Sequence, residues 1–262
     1  MQSPTRSRAW VAWSSGKDSL WALHLARRRP DLEVVGLLTT ITHTFGRVSM
    51  HGVRECLVEA QARALDLPLH RVLIPYPCPN EVYEAEMAKA VAEAQEGGVT
   101  RMVFGDLFLS DVRAYREEKL AGTGIEAVFP LWGSDTRALA EGMIAAGVRA
   151  YLTCLDPRKV CRGLAGHPFD GDFLAKLPRE VDTLGENGEF HTFVWDGPGF
   201  SQPVQVTVGE TVERDGFVFT DLLPDRRSPA QRGGTPPGSS PSGSHRFGAP
   251  PSATGAQPGG SF

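Results

Sequence analysis

The chain has 262 residues, of which 41% are hydrophobic and 22% are charged, and its formal net charge is −4 at pH 7. This length can bury a substantial core, either as one large domain or as a domain with an appendage. The composition is that of an ordinary globular protein. The acidic balance argues against a non-specific nucleic-acid binder, which is normally basic, but it does not exclude an RNA or protein substrate.

The sequence carries no targeting or membrane signal. Residues 1–8 are polar and basic, but no apolar segment of signal-peptide length follows them. No run approaches the roughly 20 apolar residues that a membrane helix needs, so we expect a cytoplasmic protein. The four cysteines form no CxxC pair, and we interpret them as small buried hydrophobic residues rather than as a zinc site or a disulfide framework; they are Cys56, Cys78, Cys154 and Cys161.

The segment Ser14–Ser19 reads Ser-Ser-Gly-Lys-Asp-Ser and lies between a short apolar run and an amphipathic helical pattern. At such a strand-to-helix junction, free N–H groups and the positive end of the helix dipole favour an anion. Gly16 lets the backbone approach phosphate oxygens, Lys17 adds a positive charge, and Asp18 can hold Mg²⁺ through oxygen. The spacing does not fit a Walker A loop. The alternative is a helix N-cap with two serines, but the flanking strand and helix favour a phosphate site.

Apolar runs alternate with helical patterns as far as residue 155. The predicted helices lie at 19–29, 53–65, 80–96, 111–120 and 136–146, and the predicted strands at 10–13, 33–41, 69–74, 101–104, 127–129 and 150–155. Strands separated by helices predict an α/β fold, with a mostly parallel sheet and helices on both faces. Ligands of such sheets bind at the carboxyl ends of the strands, near a switch point. Ser14–Ser19, Thr39–His43, Pro75, Gly105–Asp106 and Pro130–Trp132 fall at these ends.

Beyond residue 155 the pattern changes to loops, a short helix at 172–176 and short strands at 192–195, 204–208 and 216–221, with Asp196–Gly197 and Asp215–Gly216 as turn pairs. We therefore divide the chain into an α/β domain at 8–155, a smaller α+β region at 156–224 and a tail at 225–262. The tail is rich in Ser, Gly, Pro and Ala. Because it has too little apolar surface to offset the entropy of ordering, we predict that it is disordered.

The densest polar cluster is Gly185–Thr192, which contains Glu186, Glu189 and His191. Carboxylates crowded in a glycine-punctuated turn raise the pKa of at least one of them and prepare it for proton transfer. The alternative is a hairpin turn with solvated acids. The neighbouring aromatic residues indicate that the cluster contacts a core, and this favours a catalytic interpretation.

A second polar cluster follows the predicted strand at 101–104. Asp106 could orient Mg²⁺ or a substrate amine, and the odds that it acts in this way are nearly even. Asp111 is interpreted as a helix cap, while Arg113 and Arg116 could face a phosphate or a carboxylate. A lone histidine such as His51 is usually a surface or cap residue, and Trp132 is interpreted as core packing.

Taken in order, these stretches resemble the diphthine–ammonia ligase family of PP-loop ATP pyrophosphatases, over roughly residues 8–222. Ser15 stands where the family often has glycine, and Thr183–Leu184 replaces a frequent Pro-Cys. The residues that carry the resemblance are Ser14–Ser19, His51, Gln61–Ala62, Gly105–Asp106, Arg113, Tyr115, Arg116, Pro130–Trp132, Leu177–Pro178 and Gly185–Thr192.

The resemblance implies a ligase that consumes ATP, ammonia and the carboxylate of diphthine on elongation factor 2, yielding an amide, AMP and pyrophosphate. ATP is expected over Ser14–Ser19, with Mg²⁺ beside Asp18, adenine near Thr39 and further contacts from Gly105. Glu186, Glu189, His191 and Asp106 are the expected catalytic residues. Two alternatives stay open: a PP-loop enzyme that acts on a different, bacterial acceptor, and a non-catalytic adenine-nucleotide-binding protein. Elongation factor 2 is a partner only if the host makes diphthamide, and the oligomeric state is not indicated.

Overall fold

A computed structural model describes residues 6–49 and 51–225. Residues 226–262 of the tail lie outside the described residues, so the disorder predicted for them stays a prediction. The strands are β1 (Ser7–Ala12), β2 (Leu32–Thr42), β3 (Arg47–Val48), β4 (Leu69–Ile74), β5 (Val99–Val103), β6 (Glu126–Val128), β7 (Arg149–Leu155), β8 (Phe190–Asp196), β9 (Val206–Arg214) and β10 (Phe217–Pro224). The helices are α1 (Lys17–Arg28), α2 (Glu55–Ala64), α3 (Asn80–Glu96), α4 (Ser110–Leu120), α5 (Thr136–Ala145) and α6 (Gly171–Lys176), with a 3₁₀ turn at Arg162–Leu164.

The first sheet confirms the predicted mostly parallel α/β architecture. β1 lies between β2 and β5, β4 pairs with β2, and β6 pairs with β5, all in parallel. The two-residue strand β3, which the sequence pattern did not predict, pairs antiparallel with the end of β2. The chain moves outward from β1 through β2 to β4 and then returns to β5 on the other side. The order therefore reverses between β1 and β5, and ligands of open α/β sheets bind at such a point.

β1 shows why the sheet is buried on both faces. Its residues alternate between two apolar cores: Ala9 and Val11 belong to the core that includes α1, while Trp10 and Ala12 belong to the core that includes α3. This follows from the two-residue period of a strand. Helices covering both faces account for the continuous apolar run that the sequence shows here.

The second sheet has the order β8-β7-β10-β9 and is antiparallel throughout. The predicted strand at 150–155 is correct as a strand, but β7 joins this second sheet, so its expected place in the parallel sheet is wrong. Asp215–Gly216 forms the predicted turn between β9 and β10, with positive φ at both residues. Asp196–Gly197 makes no hairpin, because β8 pairs with β7 and not with β9.

Several local expectations are corrected. α4 begins at Ser110 after an N-cap at Leu109, so Asp111 lies in the first turn and is not the cap. Asp135 caps α5, since its carboxylate accepts a hydrogen bond from Ala138 N at 2.7 Å. None of the helices that the structure describes between residues 6 and 225 is long and apolar enough to cross a bilayer.

The cysteines and Arg113 also differ from expectation. Of the four free cysteines only Cys154 is buried, whereas Cys56 and Cys161 are exposed, so the interpretation as buried hydrophobic residues fails for those two.

Arg113 does not face the cavity described below. Its guanidinium lies 4.8 Å from the ring centre of the half-buried Trp132 and pairs with Glu117.

Candidate active site

A cavity of about 480 Å³ lies at the carboxyl ends of β1 and β5, at the point where the strand order reverses. Its opposite wall is formed by the segment that leads into β8. The sequence predicted a site at this edge of the sheet, and three of the predicted clusters line it together. The lining residues are Ala12, Ser14, Gly16–Ser19, His51, Phe104–Asp106, Leu109, Val112, Arg116, Leu184–Gly188 and Phe190–Thr192.

The loop Ser14–Ser19 is closed by its own polar groups. Ser14 Oγ lies 3.3 Å from Ser19 Oγ and 3.4 Å from Gly16 N, and Ser19 Oγ donates to Gly16 O at 2.9 Å. The N-cap of α1 is Gly16, and no side chain makes a capping hydrogen bond there. The alternative interpretation of this segment as a helix N-cap with two serines is therefore wrong. A Cβ on Gly16 would lie 3.2 Å from Thr192 O, which explains the glycine at this close approach to β8.

Lys17 is almost fully buried, at 1% exposed, and its ammonium group contacts the opposite wall. Nζ donates to Leu184 O at 2.6 Å and to Asp18 Oδ2 at 2.9 Å, and it lies 5.0 Å from the ring centre of Phe190. Lys17 N also donates to Thr192 Oγ1 at 3.2 Å. Lys17 therefore joins the loop to the segment before β8 and places a positive charge at the cavity wall.

Gln61 of α2 makes a second connection between the loop and β8, and its role was not predicted. It is 0% exposed, accepts from Trp13 Nε1 at 2.9 Å, and donates to Ser15 O at 3.0 Å and Val194 O at 2.6 Å. All three partners are more than 40 residues away along the chain. A polar residue inside an otherwise apolar helix stripe was the available signal, because a buried amide needs partners.

Asp18 is the residue best suited to contact a cation. Oδ2 pairs with Lys17, whereas Oδ1 is buried and has no hydrogen-bond partner in the described structure. Burial raises the pKa of this carboxyl although the Lys17 charge opposes the shift. Within residues 6–49 and 51–225, no three His, Cys, Asp or Glu side chains form a group that could hold a metal by itself. One carboxylate oxygen fits Mg²⁺, because this ion is usually held by few carboxylates together with phosphates and water.

Gly105 and Asp106 place β5 against the start of α1. A Cβ on Gly105 would lie 3.0 Å from Asp18 C and 3.1 Å from Ser19 N, both main-chain atoms. Asp106 accepts two hydrogen bonds from Arg116, at 2.6 and 3.0 Å, and the Arg116 side chain is only 5% exposed. Asp106 lines the cavity as predicted, and this bidentate pair fixes its carboxylate and thereby the cavity wall.

Glu186 is the titratable group whose environment is most altered. Its Oε1 accepts from Leu107 N at 2.8 Å, which joins the two cavity walls. Burial, together with the negative charges of Asp18 and Asp106, raises its pKa to about 8. The sequence predicted a raised carboxylate pKa in this cluster. The charged neighbours responsible are Asp18 and Asp106 on the other wall, and not Glu189.

Three predicted site residues do not line the cavity: Ser15, Thr39 and Glu189. All three are buried, and each has a side-chain oxygen without a partner among the described residues. Glu189 Oε1 accepts from Asn187 Nδ2 at 3.2 Å, so Glu189 contacts the cavity wall from behind. Their proposed roles stay predictions, and a direct role for Glu189 requires that the segment move.

His51 and His191 lie together in the cavity wall, with ring centres 4.4 Å apart. Burial and the nearby Lys17 charge lower the pKa of His191 to about 4. Burial lowers the pKa of His51 well below its usual value, and His191 and Lys17 add to this shift. Both imidazoles are thus neutral at pH 7. The expectation that His51 is a surface or cap residue is wrong, because its side chain reaches this wall from the loop between β3 and α2.

Comparison with known proteins agrees with this site. The family described as diphthamide synthase N-terminal domain matches residues 7–125, which include Ser14–Ser19 and Gly105–Asp106. The diphthine–ammonia ligase of Bos taurus is 26% identical over 242 residues, which cover 80% of this chain and 86% of the bovine protein. That of Rattus norvegicus is 25% identical over 240 residues, with the same shares covered. The chain is thus similar to diphthine–ammonia ligases over 80% of its length, and its N-terminal part matches the diphthamide synthase N-terminal domain.

Proposed function

We propose that this protein is an AMP-forming ligase that uses ATP to adenylate a carboxylate and then amidates it with ammonia, with diphthine on elongation factor 2 as the acceptor where the host makes it. The observation that carries the proposal is the shared cavity. It combines a helix N-terminus for phosphate, an unpartnered carboxylate oxygen on Asp18 and a carboxyl group of raised pKa on Glu186.

In this proposal the triphosphate of ATP lies over Ser14–Ser19, where the first turn of α1 presents its N–H groups and its positive dipole end. Lys17 adds charge from the wall, and preorganised donors of this kind often contribute a few kcal/mol each. Asp18 would hold Mg²⁺ through Oδ1, and this ion would neutralise charge on the phosphates. The acceptor carboxylate attacks the α-phosphorus, the bond to the β-phosphate oxygen breaks, and pyrophosphate leaves with the bonding electrons.

The second step needs ammonia as the free amine, although amines are mostly protonated near neutral pH. Glu186 is the candidate base, because with a pKa of about 8 its ionised form is a stronger base toward ammonium than an ordinary carboxylate. Ammonia then attacks the acyl carbon, the bond from this carbon to the AMP oxygen breaks, AMP leaves with the bonding electrons, and the amide nitrogen loses its extra proton to water. Glu189 is the second predicted candidate for this base, with His191 orienting or assisting it, and both residues belong to the same segment as Glu186.

A second cavity offers a place for the acceptor. It has a volume of about 470 Å³, is lined by residues 177–183 and the start of α5, and shares Asn187 with the first cavity. An acceptor bound there would need only to pass Asn187 to reach the nucleotide. Arg179, Glu180 and Asp182 in its lining give it the mixed charge that suits a polar protein segment.

The test is release of AMP and pyrophosphate from purified protein with Mg-ATP and ammonium, with and without elongation factor 2 that carries diphthine. We expect release that depends on the modified factor. The Lys17→Ala variant should weaken ATP binding, whereas Glu189→Gln should leave binding intact and remove turnover. ATP binding without factor-dependent release would contradict the proposed acceptor, and unchanged pyrophosphate release in both variants would contradict the assigned site.

A further inference from the structure

A buried carboxylate in the second sheet, Asp221 of β10, is bonded to both ends of the loop that carries His51. Its side chain is 4% exposed. It accepts hydrogen bonds from Arg54 Nε at 3.1 Å, Arg54 Nη2 at 2.5 Å and Arg47 Nη1 at 2.9 Å. Arg47 lies in β3 and Arg54 directly precedes α2. We name this arrangement the Asp221 clamp, and the described residues of the segment that joins its two arginines, 47–49 and 51–54, the 47–54 loop.

The 47–54 loop is also closed by hydrogen bonds among its own residues. Arg47 Nη1 donates to Gly52 O at 2.5 Å, Gly52 N donates to Val48 O at 3.1 Å, and His51 N donates to Ser49 O at 2.8 Å. Gly52 has a φ of +66°, which favours glycine. Together with the two arginine side chains, these bonds hold the backbone at residue 51 in one orientation.

The side chain directed by this loop has unused bonding capacity. His51 is 9% exposed, lines the cavity, and lies with its ring centre 4.4 Å from that of His191. Its Nδ1 is buried and has no hydrogen-bond partner within the described residues. A buried polar atom without a partner is unusual in a folded protein and calls for an explanation such as a ligand. Beside a cavity of nucleotide size, a ligand atom is the simplest partner.

We propose that Asp221 is a positioning residue of this cavity: through Arg47 and Arg54 it sets the His51 imidazole against His191, so that Nδ1 contacts the bound nucleotide. The identity of the ligand rests on the proposed function, whereas the placement of His51 does not. The second sheet thus contributes to the cavity twice, through β8 and through this clamp.

The placement is tested without ligand by NMR of the histidine side chains in the wild type, Asp221→Asn and Asp221→Glu, with His51→Ala identifying the His51 signal. The matched control is Asp156→Asn, because Asp156 is also 4% exposed and bonded to an arginine, Arg158, but only two residues away. We expect Asp221→Asn to shift the His51 signal and to raise its pKa, with partial recovery in Asp221→Glu and no change in the control. A folded Asp221→Asn protein with an unchanged His51 signal would overturn the proposal.

The route through His51 is tested by a double-mutant cycle on ATP affinity. Asp221→Asn should weaken ATP binding by about 3- to 30-fold in the wild-type background and by less than about twofold in the His51→Ala background. Equal losses in both backgrounds would mean that Asp221 acts only on general stability. If the cycle is non-additive but the protein forms no AMP, Asp221 keeps its positioning role and the proposed reaction is rejected. If the wild type does not bind ATP, the NMR measurement alone decides whether Asp221 places His51.

Discussion

The two walls of the cavity are built in different ways. The loop Ser14–Ser19 is closed by bonds among its own residues and derives its anion-binding character from local geometry, at the start of α1. The facing segment, residues 184–192, carries Glu186 and His191, whose pKa values are altered by burial and, in addition, by charged groups on the opposite wall. In the proposed function, one wall therefore supplies the phosphate site by itself, whereas the proton transfer requires that both walls be in contact.

The largest expected effect comes from the wall that depends on this contact. Glu186→Gln should lower the rate of amide formation by about 10²- to 10⁴-fold, the usual contribution of a positioned base, while ATP affinity stays nearly unchanged. In the wild type the rate should rise as pH increases through about 8, because Glu186 is a base only when ionised. Rates measured between pH 6 and 9.5 would show this.

Because ammonia itself titrates in the alkaline range, the same assay should be run with an amine that is unprotonated at neutral pH, such as hydroxylamine. This nucleophile needs no base, so it should restore most of the activity of Glu186→Gln. A variant that stays inactive with hydroxylamine would indicate that Glu186 has another role.

The raised pKa of Glu186 also predicts a pH dependence of folding that needs no substrate. The folded protein keeps this proton up to about pH 8, whereas the unfolded chain releases it near the ordinary value of 4.5. The contribution of Glu186 to the free energy of unfolding should therefore fall as pH rises from about 4.5 to 8. Urea titrations should find that Glu186→Gln gains stability relative to the wild type across this range, and a constant difference would contradict the shift.

Substitution of Gln61 tests how the connection between the two cavity walls contributes to stability and ATP binding. Gln61→Ala removes the bonds to Trp13, Ser15 and Val194 together, and each buried polar group left without a partner costs about 1–3 kcal/mol. We expect a marked loss of thermal stability and weaker ATP binding. The control is Gln95→Ala, since Gln95 is exposed and its side chain donates to Thr123 O; equal losses in the two variants would refute the connecting role of Gln61.

Features that depend on local sequence could be predicted from the sequence, whereas features that depend on long-range contacts could not. The limits of α3 and β4 could be predicted, because hydrophobic periodicity is a local property, whereas phosphate binding at Ser14–Ser19 stays a prediction. The pairing of β7 with the second sheet could not, because an apolar run does not specify its partner strand. Neither could the burial of His51 nor the role of Gln61, because both depend on partners more than 40 residues away.

A smaller effect is expected where β5 contacts the loop. Gly105→Ala places a Cβ 3.0 to 3.1 Å from main-chain atoms of Asp18 and Ser19, which have little freedom to move. Overpacking of this kind costs about 1–3 kcal/mol, and displacement of the first turn of α1 should weaken ATP binding. The control is Gly142→Ala in α5, where nothing lies within 4 Å of the added atom, so that variant should be slightly stabilised. Equal effects would show that Gly105 is not required by close packing.

The smallest effect concerns an ion pair that belongs to neither wall. Arg137 and Glu141 are 2.9 Å apart on α5, with side chains 58% and 59% exposed. Solvent screening limits an exposed pair at this helical spacing to below about 0.5 kcal/mol. Glu141→Gln should therefore leave the thermal midpoint, ATP affinity and amide formation nearly unchanged, although it removes one carboxylate just as Glu186→Gln does. If the two variants lost similar activity, net charge rather than the contact between the walls would explain the effect of Glu186→Gln.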